Sequence, residues 1–264
     1  MVLLKVIEQT PGGLRNADIS RQLKIPKSSC SYIVTRLERE GYLIKDADSK
    51  RYKIGLTPVA LAHGALREVG IRTVAEPALY KLTSQTGLSA GIGVLRKGRV
   101  LLVDRVEGPR FVDRAIASAA GRTTGPAAAY RIRTQRDVGR ELPAHSTALG
   151  KVLLAFLPRR QMLDLIAKYG LARSTATTIV SKKRLLAELD LVRKRRYAIA
   201  DGEAYSDLRA LSVPIFDADG EVRAAVSVNG LPNEPVWDDV PELVRIVEEA
   251  VRGISRRARI LRPA

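Results

Sequence analysis

The run Leu14-Arg15-Asn16-Ala17-Asp18-Ile19-Ser20-Arg21-Gln22-Leu23-Lys24-Ile25-Pro26-Lys27-Ser28-Ser29-Cys30-Ser31-Tyr32-Ile33-Val34-Thr35-Arg36-Leu37-Glu38-Arg39-Glu40-Gly41 decides how the first part of the chain is read. Asn16 is a good helix N-cap, and Ala17, Ile19 and Leu23 fall on one face behind it. Lys24-Ile25-Pro26-Lys27 is a short turn. Lys27 or Ser28 then opens a helix running to Glu40, with Ile33, Val34 and Leu37 as its core face and Cys30 close to it. Gly41 ends it. Upstream, Val2, Leu3, Val6 and Ile7 have helical spacing, stopped at Thr10-Pro11-Gly12-Gly13. Downstream, Tyr42-Leu43-Ile44, a polar turn at 46–50 and Arg51-Tyr52-Lys53-Ile54 predict a β-hairpin. Helix, helix, turn, helix, hairpin is the order of a winged helix-turn-helix, in which the helix after the turn lies in the major groove of DNA.

The side chains left for solvent on that helix suit the role. Lys27, Ser28, Ser29, Ser31, Tyr32, Thr35 and Arg36 all form hydrogen bonds, and short hydroxyl side chains at a helix start reach phosphates and base edges closely. Lys50, Arg51 and Lys53 bring positive charge from the hairpin, and Arg15 completes the candidate set. Lys27, Arg36 and Arg51 are expected on phosphates; Ser29, Ser31, Tyr32 and Thr35 are the candidates for reading sequence. Serines at a helix start also serve as plain caps, so the whole ordered pattern carries the reading, not the serines alone.

Composition sets the frame. The chain has 264 residues, 45% hydrophobic and 28% charged, which are values of folded domains; with 5% aromatics, its cores must be built from Leu, Ile, Val and Ala. The net charge of +17 fits a polyanionic partner, or simply an Arg-rich soluble protein. It is patterned: residues 1–60 hold 11 Lys/Arg against 6 Asp/Glu, while 197–251 hold 3 Arg against 12 acids. One cysteine, Cys30, excludes an intrachain disulfide and fits a reducing cytoplasm. It reads as a small packed residue before a redox switch. Met1–Ile7 is too short and carries Lys5, so it is not read as a signal peptide. No run approaches the roughly 20 apolar residues of a membrane span.

Beyond residue 56, Pro58–Leu66 reads as a connecting helix and Val74–Thr86 as a second one. Strands are expected at Ala90–Leu95 and Val100–Val106, then helices at Ala148–Phe156, Arg160–Tyr169 and Lys183–Arg195. The strands Ala210–Phe216 and Val222–Val228 flank an Asp-Gly-type turn, and Glu242–Leu261 closes the chain as an amphipathic helix. Strands grouped at both ends of a helical middle give an α+β fold, an antiparallel sheet with helices against it.

The run 14–29, the following Arg36–Tyr42 and Arg51–Leu56 resemble the helix-turn-helix of the IclR family of bacterial transcriptional regulators. The resemblance extends over nearly the whole chain, through Leu142–Lys151 and through Ala210–Asp217. It implies a winged helix-turn-helix at 1–56, a linker helix at 57–72 and a GAF-like effector-binding domain at 73–264. It also implies a double-stranded, pseudo-palindromic operator, a homodimer with a tetramer as a further assembly, and a small-molecule effector. Members carry further residues before the first helix, so the true start is expected upstream of Met1 or the first helix is short.

By the same resemblance, Ala148, Leu149, Ala200, Glu203, Leu208, Ala210, Ser227 and Asn229 are the effector-binding positions. Asp is usual where this chain has Ala200, Cys where it has Ala210, Ser where it has Asn229 and Gly where it has Arg196. These losses predict a larger, less polar effector than a two- or three-carbon oxo-acid. Segment 109–140, with seven Arg, is longer than is usual in the family and reads either as a solvated loop or as a basic flap. Two alternatives to a regulated DNA-binding protein are a sensor enzyme and a non-specific DNA binder. Against an enzyme, His145-Ser146 lacks a nucleophile elbow and Gly91-Ile92-Gly93 is too short for a dinucleotide fingerprint. One Cys and two distant His make no metal site, so no metal or cofactor is expected.

Overall fold

A computed structural model describes residues 2–68, 71–109 and 138–257. The chain divides into two compact units, 1–68 and 69–264. Most of segment 109–140, namely 110–137, lies outside the described residues.

In the first unit, α1 (Val2–Glu8), α2 (Asn16–Leu23) and α3 (Lys27–Arg39) precede the hairpin β1 (Leu43–Lys45) and β2 (Tyr52–Ile54) and helix α4 (Thr57–Glu68). Leu3, Ile7, Leu14, Ile19, Cys30, Val34, Leu43 and Tyr52 form its core. The buried stripe of α3 therefore runs Cys30, Val34, with Leu37 packed beside it, while Ile33 is 39% exposed. The helical period puts 30, 34 and 37 at the centre of that stripe and 33 at its edge.

Asn16 is not the cap that its type predicts. An isolated bridge between Leu14 and Tyr52 keeps the chain extended through Arg15, which takes the cap position, and Asn16 Oδ1 is buried without a hydrogen bond. Gly13 makes that bridge feasible, since a Cβ there would stand 2.4 Å from the Tyr52 carbonyl oxygen. Helix α4 occupies the stretch read as a linker. It is tied to the first unit by Thr57 Oγ1, which donates to the Glu40 carbonyl at 2.8 Å.

The second unit holds α5 (Ile71–Thr86), β3 (Ser89–Arg96), β4 (Arg99–Val106), β5 (Glu141–Pro143), α6 (Ala148–Ala155), α7 (Arg159–Tyr169), α8 (Lys182–Arg195), β6 (Ala198–Asp201), β7 (Arg209–Phe216), β8 (Val222–Gly230) and α9 (Val240–Arg257). Its six strands form one antiparallel sheet in the order β5-β4-β3-β8-β7-β6. Strand β7 is buried on both faces: Ala210 and Phe216 look toward α6, where Phe216 meets Phe156 edge-on at 5.3 Å, and Leu211, Val213 and Ile215 alternate to the other face. Strands β5 and β6 were not expected; at three and four residues they are too short to show a period.

Every residue of α6 is buried. Thr147 caps it, donating to the Pro143 carbonyl at 2.7 Å and accepting from the Gly150 amide at 3.2 Å. Gly150 presses on the preceding connector: a Cβ there would lie 2.2 Å from the Ala144 carbonyl oxygen. Arg196 ends α8 at φ 63° in the left-handed region, which explains why Gly is usual at that position; its guanidinium lies over the Phe216 ring at 5.4 Å.

Gly150→Ala is expected to destabilise the second unit by about 2 kcal/mol or more, because a backbone atom and no flexible side chain stands in the way. Calorimetric melting of the full chain checks this; an unchanged midpoint would show that the connector yields freely.

Candidate functional site

Two surfaces hold the residues singled out in the sequence. On the first unit, Lys27, Ser28, Ser29, Ser31, Tyr32, Thr35 and Arg36 are all exposed along α3. Ser28, Ser31, Tyr32, Thr35 and Arg36 border one shallow depression together with Arg39 and Glu40. Tyr32 is 66% exposed, and its hydroxyl accepts from Arg36 Nη1 at 3.2 Å, so ring and guanidinium stand together one turn apart. A planar cation and a phenol held side by side on a convex helix are suited to a groove lined with phosphates and base edges.

The hairpin residues divide by role. Lys50 is exposed at the turn, in the left-handed region at φ 55°. Arg51 is half-buried and donates to the Gly13 carbonyl at 2.8 Å, and Arg15 Nε donates to the Ser49 carbonyl at 3.0 Å. Both guanidinium groups thus stitch the hairpin to the loop before α2, besides carrying charge. The turn is held by Asp46, whose carboxylate accepts the Ser49 amide at 2.9 Å, the Ser49 hydroxyl at 2.8 Å and Lys53 Nζ at 3.2 Å. These bonds, the Ser49 amide first, hold the Asp46 carboxyl far below the usual carboxylate range.

In the second unit, a cavity of about 650 Å³, its mouth included, lies between the sheet and the start of α6. Seven of the eight expected effector positions line it: Ala148, Leu149, Ala200, Leu208, Ala210, Ser227 and Asn229. Strand register explains the convergence. Ala200 pairs with Ala210, and Ala210 with Asn229, so these three form one row across β6, β7 and β8. The three positions at which the resemblance implies Asp, Cys and Ser are therefore neighbours. Gly91, Leu102, Leu142, Ala204 and Tyr205 complete a mainly apolar wall.

Polar groups are set into that wall. Arg105 lines the cavity and is held in a fork by Glu107, with contacts of 2.8 and 3.1 Å, and it also donates to Asn229 Oδ1 at 3.3 Å. Ser89 Oγ donates to Glu107 at 2.9 Å and accepts the Gly108 amide at 3.1 Å. Ser146 is fully buried on the wall, and its hydroxyl has no hydrogen-bond partner among the described residues. His145 beside it faces away and donates from Nε2 to the Ala172 carbonyl at 3.0 Å. Burial, with Arg99 and Lys151 nearby, lowers its pKa and favours the neutral ring. Ser146 and His145 are adjacent in sequence but do not bond to each other.

Glu203 is the exception among the effector positions. It does not line the cavity; it is 7% exposed and forms an ion pair with Lys151, which is 1% exposed in the middle of α6. Burial pushes its carboxyl up, and Lys151 offsets part of that. Of the residues that sequence reading missed, Arg105 comes to the cavity through the sheet order, Tyr205 through the 202–208 loop and Ser146 through the connector before α6. Only Ser146 carried a local signal, standing at the start of a helix whose neighbours had been selected. Among the described residues, no cluster of His, Cys, Asp or Glu is arranged to hold a metal, and no helix is long and apolar enough to cross a membrane.

Comparison with known proteins agrees with both halves. Residues 1–47 match the model of the IclR helix-turn-helix domain, and residues 127–256 match that of the bacterial transcriptional regulator IclR C-terminal domain. The chain is 27% identical over 238 residues to the HTH-type transcriptional regulator KdgR of Dickeya chrysanthemi, covering 90% of this chain and 72% of the relative. Among solved structures, it is similar to the Thermotoga maritima IclR, with a TM-score of 0.69 at 25% identity over 98% of this chain and 96% of that one. An IclR homologue from Microbacterium hydrocarbonoxydans, solved in complex with 4-hydroxybenzoate, shares the fold with a TM-score of 0.75 at 22% identity, over 98% and 97% of the two chains.

The Asp46 turn makes the hairpin pH-sensitive in one direction. Its carboxyl is depressed in the folded chain, so the stabilisation is present above the unfolded value of about 3.9 and is lost as pH falls below it. The Ser49 amide should still be protected at about pH 4 in the wild type, because the folded carboxyl stays ionised well below the unfolded value. Asp46→Ala should already expose it at pH 7. Equal Ser49 exchange in the two proteins would remove Asp46 from this role.

Proposed function

This chain belongs to the IclR family of bacterial transcriptional regulators, and from that premise we propose that it binds a pseudo-palindromic operator under the control of a small organic or aromatic acid. The observation that carries the reading is the conjunction, in one chain, of an exposed hydrogen-bonding face on α3 with a largely apolar cavity at the start of α6. One winged helix offers few base contacts, so a two-fold dimer reading two half-sites is the natural solution. Helix α4 supports a dimer contact: Val59 and Leu61 are exposed on it, and Leu56 just before it, where a monomer has no use for apolar side chains. A tetramer would pair two such dimers. The protein acts in the cytoplasm, where its DNA is.

The division of labour on DNA follows from side-chain chemistry. Lys27, Arg36, Lys50 and Arg51 supply phosphate contacts; Ser29, Ser31, Tyr32 and Thr35, with Ser28 at the helix start, read the groove. Arg15 braces the wing that brings Lys50 into reach. In the sensing unit, a ligand ring lies among Leu102, Leu142, Leu149 and Leu208, with its acid or hydroxyl group toward Ser146, Tyr205 and Arg105. The row Ala200-Ala210-Asn229 lacks the short acidic and thiol groups suited to a two- or three-carbon acid, which supports a larger effector. The bound 4-hydroxybenzoate of the Microbacterium protein is of this size class. The ligand acts only to the extent that it prefers one of two arrangements of the DNA-binding heads. No turnover is proposed, because the Ser146 hydroxyl has no base beside it and His145 is engaged by Ala172.

Four measurements test the reading. Lys27→Ala and Arg36→Ala should weaken binding to all sequences and reduce the slope of log K against log salt by about 1 each. Tyr32→Ala and Ser31→Ala should change the sequence recovered in a binding-site selection; an unchanged sequence rejects the groove-reading role. Separately, 4-hydroxybenzoate and benzoate should raise the melting temperature of the full chain, and Ala210→Leu should abolish the shift by filling the cavity. Micromolar binding of glyoxylate or pyruvate in calorimetry would overturn the ligand class.

A further inference from the structure

The loop from Gly202 to Leu208 supplies Ala204, Tyr205 and Leu208 to the cavity, yet it has no regular secondary structure of its own. Its two ends are closed by one bond, the Gly202 amide donating to the Leu208 carbonyl at 2.9 Å. Its root is gripped from two sides. From one side, Thr175 and Thr177 Oγ1 donate to the Gly202 carbonyl at 2.6 and 2.7 Å, and Thr178 Oγ1 donates to the Glu203 carbonyl at 2.7 Å. From the other, Lys151 Nζ reaches out of α6 to the Glu203 carboxylate and to the Ile199 carbonyl, the latter at 3.1 Å.

The Lys151–Glu203 pair stands in nearly complete burial, where the cost of removing two charges from water cancels most or all of their attraction. The direction of the Glu203 shift agrees: burial outweighs the help from Lys151. An apolar pair would hold the core equally well. What it would not do is fix direction, because dispersion contacts let a loop slide whereas a charged hydrogen bond holds it to one point. Lys151 lies on the same helix as Ala148 and Leu149, one turn further along, so the pair links two walls of one cavity.

We propose that Lys151 and Glu203 are positioning residues of the effector cavity, which touch no ligand and set the placement of the 202–208 wall through a buried ion pair seated against the threonine grip. This rests on the cavity being the effector site, and it replaces the expectation that Glu203 meets the ligand directly. Other ionisable groups near the pair are Glu188 on α8, which acts on Glu203, and His145 in the connector, which feels Lys151.

The test uses the full chain and the double variant Lys151→Met/Glu203→Leu, which removes the pair without leaving a buried charge. Its melting temperature should equal or exceed that of the wild type. Without any ligand, amides in 202–208 should exchange at least about tenfold faster, with those of β7 and β8 unchanged. Binding of 4-hydroxybenzoate should weaken by about tenfold. Glu203→Gln, which keeps an acceptor facing Lys151, should restore most of the protection. Wild-type protection of 202–208 in the double variant overturns the proposal, whatever the ligand does. So does a loss of melting temperature with unchanged exchange and affinity, which is what a merely structural pair would give. Failure of wild-type protein to bind any acid in this cavity would instead count against the effector reading, and the exchange measurement would still decide the role of the pair.

Discussion

Much of the second unit depends on one close approach, that of Gly150 to the Ala144 carbonyl. A helix buried along its whole length must find partners on every side, and α6 finds the sheet on one and α8 on another. The third side is the chain that has just led into it. Because position 150 has no Cβ, the connector 143–147 folds back on the first turn, where Thr147 bonds to both Pro143 and Gly150. That bend turns Ser146 toward the cavity and His145 away from it. Remove the approach and the cavity loses its end wall.

The same packing explains why charges are tolerated inside. A helix with no exposed face has only one way to carry a lysine, which is to give it a fixed partner, and Glu203 with the Ile199 carbonyl is that partner. Arg105 is treated alike at the other end of the cavity, where Glu107 and Asn229 take its N–H groups. The cavity thus combines an apolar belly with polar groups already engaged by the protein, and on its wall the buried Ser146 hydroxyl has no partner among the described residues.

Much of this was legible in the sequence. Cys30, Val34 and the helix-turn-helix follow from period and from the turn at 24–27, and β3, β4, β7 and β8 follow from long apolar runs. What was lost depends on partners far away in the chain. Asn16 has the right type for a cap, but the Leu14–Tyr52 bridge decides the geometry. Ile33 is apolar, but at 39% exposure it lies at the edge of the stripe that α3 turns to the core. Strands β5 and β6 are recognisable only beside the strands they join. Glu203 stands among the effector positions through the resemblance alone; that its carboxylate faces Lys151 depends on how β6 is placed against α6.

The cavity wall is rich in alanine: Ala148, Ala200, Ala204 and Ala210 all contribute to it, whereas the surrounding frame is carried by strand pairing, the α6 bend and the ion pair behind it. Shape and scaffold are therefore separable. Each alanine is a place where a few atoms can be added into the cavity while the strand pairing that holds the others is kept. The same separation means that the cavity's shape can be redrawn at four methyl groups while the first unit is left alone.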